Sequence, residues 1–209
     1  MRTPKRFVLG LTGGIGTGKS SALKAFESRG AATICLDHLA KEQAKPGREG
    51  YRAILKAFGP CILNEDKSIN RALLGRVIFS DKRAKLGLER ATHPLILKEM
   101  RRLIGRLKGI VVVDVPLLFE KKLQKNFDAT MVIACKPQKQ LQRIMKRDGL
   151  SSREARLRIK AQLPLDQKRK LADVTINNDT NIENLKTEIH SYHSGLSLLL
   201  GGLSHGNHD

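Results

Sequence analysis

The chain has 209 residues, 40% of them hydrophobic, enough to bury a full core and short enough to favour one domain. Its formal charge is +19 while aromatic residues make up 4% and Trp is absent, so it attracts polyanions but offers few platforms for stacking nucleic-acid bases. The longest apolar run after the first strand, Leu196 to Leu203, contains Gly201 and Gly202. It falls well below the roughly 20 residues of a bilayer span, which speaks against a membrane role.

Arg2, Lys5 and Arg6 lead into an apolar stretch from Phe7 to Thr12. It is too short for a secretion signal and runs straight into Gly13 and Gly14, so it reads as a buried strand. Gly13-Gly14-Ile15-Gly16-Thr17-Gly18-Lys19-Ser20 then completes the phosphate-loop pattern, and Ser21 to Arg29 continues as a helix. Glycines let backbone N–H groups turn toward a polyphosphate, and the following helix presents its positive end to it. In this pattern Lys19 grips the terminal phosphates of ATP and the Ser20 hydroxyl ligates Mg2+.

Further strands are predicted at Ala31 to Cys35, Ile110 to Val115, Ala129 to Cys135 and Val174 to Asn177, separated by helical patterns. That alternation predicts a three-layer α/β/α fold with a five-stranded, mostly parallel sheet. The segment from Asp37 to Lys108 is far longer than an ordinary crossover. It reads as a helical insertion punctuated by Pro46-Gly47, Gly59-Pro60 and His93-Pro94, with a break or kink expected near His93. The core is accordingly placed at residues 1–36, 109–136 and 171–200, the insertion at 37–108, a basic lid at 137–170 and a frayed tail at 201–209.

Residues 136–170 carry twelve Lys or Arg against three acids. Nucleic acid, nucleotide phosphates and a plain solvated face all fit that surplus. Arg143, Lys146 and Arg147 recur at helical spacing, and Arg156 and Arg158 follow on a helix opened by the capping box Ser151 to Glu154. An arginine lid of this kind would exclude water from transferring phosphates. Cys35, Cys61 and Cys135 lack metal-ligand spacing and read as reduced, buried thiols of a cytoplasmic protein.

Two carboxylates suit phosphoryl transfer. Asp37 follows the second strand, at the end where open α/β sheets bind ligands, although Asp there is also a favoured helix cap. Asp114 ends the run Ile110 to Val113, where a magnesium-supporting carboxylate belongs.

An ordered set of segments resembles the dephospho-CoA kinase family over nearly the whole chain. It comprises Leu11 to Ser20, Leu36-Asp37-His38-Leu39-Ala40, Arg71 to Phe79, His93-Pro94-Leu95-Ile96, Val115 to Glu120, Arg147 to Ser151, Arg158 to Gln162 and Ala172-Asp173. The resemblance implies transfer of the ATP γ-phosphate to the ribose 3'-hydroxyl of dephospho-CoA, the last step of coenzyme A synthesis. It implies that Asp37 orients or deprotonates the acceptor and joins Ser20 and Asp114 at magnesium. Arg71, Arg76 and His93 would hold the dephospho-CoA side, and Pro116, Leu117, Leu118 and Glu120 the junction between substrates. Arg143, Arg147 and Arg158 would belong to the lid, with Asn178 near the adenine. The implied partners are these small molecules, with no obligatory protein partner. Two departures stand out: Cys35 replaces the first of two aspartates usual at the second strand, and Asn177-Asn178-Asp179-Thr180 replaces the family's Asp-Asn pair with a following Gly.

Overall fold

A computed structural model describes residues 6–205. In chain order it contains β1 (Arg6–Gly13), α1 (Lys19–Glu27), β2 (Ala32–Cys35), α2 (Leu36–Gln43), α3 (Glu49–Phe58), α4 (Arg71–Ser80) and α5 (Lys82–Arg106). There follow β3 (Gly109–Asp114), β4 (Ala129–Ala134), α6 (Pro137–Asp148), α7 (Ser152–Lys160), α8 (Leu165–Leu171), β5 (Val174–Asn177) and α9 (Ile182–His205). Each predicted strand is present, with ends differing by one residue at most.

The strands form one sheet in the order β2-β3-β1-β4-β5. The pairings of β1 with β3, β1 with β4, and β4 with β5 are parallel. Strand order reverses beside β1, so the carboxyl end of β1 lies at the crevice where such sheets bind ligands. From Ile110 to Asp114 every residue of β3 is buried, as expected when both faces of a parallel sheet are covered. On one face Leu9, Leu11, Ile110, Val112, Met131 and Ile133 point alternately into a core closed by Ala22, Ala25 and Phe26 of α1 and Leu185, Ile189 and Leu196 of α9. Phe26 meets Tyr192 edge-on, with ring centroids 6.5 Å apart.

The chain divides into two compact units, Met1–Ile34 with Leu107–Asp209, and Cys35–Arg106. The second is helical, with its own core of Ile54, Ile62, Ile69 and Leu74. Within it α5 packs against α2, α3 and α4. Asn70 caps α4 by accepting a hydrogen bond from the Leu73 N–H at 2.9 Å.

Three expectations need correction. Of the break or kink expected near His93, the break is absent: α5 runs on through Pro94, and its packing offsets the roughly 3 kcal/mol that an interior proline costs. The expected tail from Gly201 is helical as far as His205, extending a helix anchored by Leu185, Ile189 and Leu196, while residues 206–209 lie outside the described residues. Cys61 is exposed rather than buried: in the short 3₁₀ turn Pro60–Ile62 the inward position belongs to Ile62. Cys135 is buried, and burial pushes its thiol pKa up; Cys35 is half-buried.

Candidate active site

β1 delivers the chain into the loop Gly13 to Gly18. Gly16 (φ 76°) and Gly18 (φ 99°) adopt left-handed conformations that a side chain disfavours. The loop is braced from beneath. The Thr17 hydroxyl, fully buried, donates to the Gly14 carbonyl at 2.9 Å. Asn178 Nδ2 donates to the Thr17 carbonyl at 2.8 Å, and Gln140 Nε2 to the Ile15 carbonyl at 2.8 Å. From the other side the Ile15 N–H donates to Gln162 Oε1 at 2.9 Å. The approach is close: a Cβ on Gly18 would stand 2.2 Å from Asn178 Nδ2, and one on Gly13 would stand 2.6 Å from the Ile133 carbonyl oxygen. Lys19 opens α1, so the first-turn N–H groups face the loop's mouth as an anion site needs.

Lys19 Nζ is ion-paired with Asp114 at the end of β3, both side chains largely buried. The pair joins the two polar functions expected of the loop and of β3 at one point. Ser20 is exposed in the first turn of α1. The Ser20 hydroxyl and the Asp114 carboxylate are hard oxygen donors of the kind Mg2+ takes while keeping waters and phosphate oxygens for its remaining positions, so these residues fit the ion. No cluster of three or more His, Cys, Asp or Glu suited to a metal occurs among the described residues.

The basic segment is engaged differently from a set of free arginine fingers. Arg143 on α6 donates from Nη2 to the Asn178 carbonyl at 3.1 Å, so it supports the residue that braces Thr17. Asn178 itself is buried beneath the loop, with its amide turned to Thr17. Arg147 and Arg158 both bind Asp148, at 2.7 and 3.0 Å, joining the end of α6 to α7. Hydrogen bonding from Arg147 is the main reason that the Asp148 carboxyl lies below its ordinary pKa. Ser151 and Glu154 form the expected capping box.

The turn after β3 is anchored from within. The Pro116 carbonyl accepts from Thr12 Oγ1 and from Lys168 Nζ, each at 3.2 Å. Lys168, on α8, is fully buried and pairs with Glu120 at 2.8 Å, while Glu120 Oε1 also accepts the Leu163 N–H at 3.0 Å. Burial alone would raise the Glu120 pKa, but hydrogen bonds from Lys168 and from backbone N–H groups hold it below the ordinary value. Glu120 therefore faces the protein interior, whereas Leu117 is exposed and Leu118 is buried.

In the helical unit Asp37 is exposed in the first turn of α2, where its charge favours the helix N-terminus. It is not the cap; Cys35 holds that position. Arg71 and Arg76 are exposed on α4, and His93 is half-buried on α5. α5 packs against both α2 and α4.

Gln140, Gln162 and Lys168 were not singled out from sequence. Gln162 ends the segment Arg158 to Gln162 and could have been noticed there. Lys168 sits in the run Lys168-Arg169-Lys170, which reads as a solvated face, and no local signal marks its burial.

The family profile described as dephospho-CoA kinase matches residues 7–184. The dephospho-CoA kinase of Carboxydothermus hydrogenoformans is 42% identical over 186 residues, covering 87% of this chain and 90% of that protein. The structure of dephospho-CoA kinase from Campylobacter jejuni superposes with a TM-score of 0.69 at 30% identity, over 92% of this chain and 98% of the other. TT1252 from Thermus thermophilus gives a TM-score of 0.79 at 31% identity, over 93% and 99%.

Proposed function

The chain belongs to the dephospho-CoA kinase family, and from that premise we propose that it moves the γ-phosphate of ATP to the ribose 3'-hydroxyl of dephospho-CoA. The observation that carries the reading is the braced phosphate loop with the buried Lys19–Asp114 pair at its mouth. Backbone N–H groups of the loop and of the first turn of α1 bind the phosphates, and the Lys19 ammonium neutralises charge that grows on the transferring group. Ser20 and Asp114 would hold Mg2+, which would supply further charge neutralisation on the phosphates. Asp37 orients the acceptor hydroxyl and accepts its proton, a role its exposed carboxylate suits. Arg71, Arg76 and His93 contact the acceptor, and Arg147 and Arg158 turn from Asp148 toward the phosphates when nucleotide is bound.

The protein works in the cytoplasm on these small molecules and needs no protein partner. The family's metabolic role on small molecules supports that reading. A coupled assay of ADP release, run with ATP and magnesium and with or without dephospho-CoA, tests the function. Release that depends on the acceptor supports it; equal release in both arms refutes it.

A further inference from the structure

We propose that Gln162, Glu120 and Lys168 act together as a positioning clamp that sets the phosphate loop for nucleotide, with Gln162 making the contact and the buried pair holding Gln162 in place. This inference rests on the reading of the loop as an ATP cradle and assigns residues to it that the reaction itself does not touch.

The connector between α7 and α8 is gripped at two adjacent residues in opposite directions. Gln162 Oε1 accepts the Ile15 N–H at 2.9 Å, and the next residue, Leu163, donates its N–H to Glu120 Oε1 at 3.0 Å. Glu120 is fixed in turn by Lys168 at 2.8 Å, and the same ammonium holds the Pro116 carbonyl at 3.2 Å. The connector, the turn after β3 and the phosphate loop therefore share one chain of bonds. Thr12 closes it, because its hydroxyl also reaches the Pro116 carbonyl while its strand runs directly into Gly13.

A purely structural role explains this arrangement poorly. Burying a lysine and a glutamate costs more desolvation than an apolar pair of the same size, and such pairs are weak contributors to stability. Glu120 Oε2 is moreover buried without a hydrogen-bond partner. What the ionic pair supplies is directional: it fixes one backbone carbonyl and one backbone N–H at set positions. Both belong to segments that flank the loop. Ile15 is also the residue whose carbonyl Gln140 holds from the opposite side, so the two successive peptide planes that flank its Cα are each held by a side chain and the loop's orientation follows from them.

The test uses the full chain and a non-hydrolysable ATP analogue, with affinity read by calorimetry. Gln162→Met keeps length but removes the acceptor, and Lys168→Met with Glu120→Met replaces the buried pair by apolar groups of similar volume. Each is expected to weaken analogue binding roughly 5-fold, the scale of one neutral hydrogen bond. The triple variant should be no weaker than either, since residues acting through one contact are not additive. Amide exchange at Ile15 should accelerate in all three. Unchanged affinity and unchanged Ile15 exchange in Gln162→Met overturn the proposal, as do fully additive losses in the triple variant. Should the paired variant fail to fold, Gln162→Met alone decides the matter. Because neither readout requires an acceptor, failure to phosphorylate dephospho-CoA would refute the proposed function without touching the clamp.

Discussion

Substituting Gly18 by Ala probes how tightly the loop is built onto its support. At φ 99° an L-residue is strained by about 1–2 kcal/mol. The new Cβ would also stand 2.2 Å from Asn178 Nδ2, and Asn178 can retreat only by giving up its 2.8 Å bond to the Thr17 carbonyl. Asn178 is buried, so a displaced amide loses that bond and the site is left with unpaired groups, adding roughly 1–3 kcal/mol. The sum is about 2–5 kcal/mol. Gly30→Ala is the internal control: its φ is 87°, but nothing lies within 4 Å of its Cβ, so it suffers backbone strain alone. At about 2–4 °C per kcal/mol for a chain of this size, Gly18→Ala should lower Tm by about 4–20 °C and Gly30→Ala by about 2–8 °C. Thermal unfolding by circular dichroism, paired with titration of an ATP analogue, reads both. Gly18→Ala should also lose nucleotide binding while Gly30→Ala keeps it. A Tm for Gly18→Ala no lower than that of Gly30→Ala, with binding intact, refutes the steric argument.

Lys19→Ala should reduce phosphoryl transfer by roughly 10²–10³-fold, the cost of removing one preorganised charge from a transition state, as measured by steady-state turnover at saturating ATP. Asp37→Asn should leave ATP affinity near that of the wild type and cut turnover by about 10²-fold or more; turnover close to normal removes Asp37 from the mechanism. His193 is buried beside Phe26, and desolvation, then the charges of Arg29 and His190, lower its pKa. The unfolded chain therefore binds the proton more readily, so the contribution of neutral His193 to stability is present above about pH 6.5 and is lost as pH falls through the lower folded pKa. Denaturant midpoints at pH 5 and 7.5 should differ more for the wild type than for His193→Gln.

The strands were legible because buried parallel strands are short, nearly uniform apolar runs, and Ile110 to Val113 could hardly be anything else. The phosphate loop was legible because its glycines and the Lys-Ser pair are fixed in spacing by the backbone they must make. What stayed hidden depends on distance along the chain. Asn178 braces Thr17 from 161 residues away and Gln162 reaches Ile15 across 147, and no local pattern records either bond. Lys168 misleads in the opposite direction, since a basic heptapeptide helix normally points its charges at water, yet this one buries a lysine to meet Glu120. Pro94 shows the limit of a strong local rule, because tertiary packing carried α5 through it.

The most direct measurement is the identity of the product made from dephospho-CoA and ATP. Mass spectrometry with phosphorus NMR should show one added phosphoryl group on the ribose 3'-hydroxyl, formed by the wild type and, over the same reaction time, roughly 10²–10³-fold more slowly by Lys19→Ala. Unmodified dephospho-CoA, or a phosphoryl group on any other position, contradicts the account.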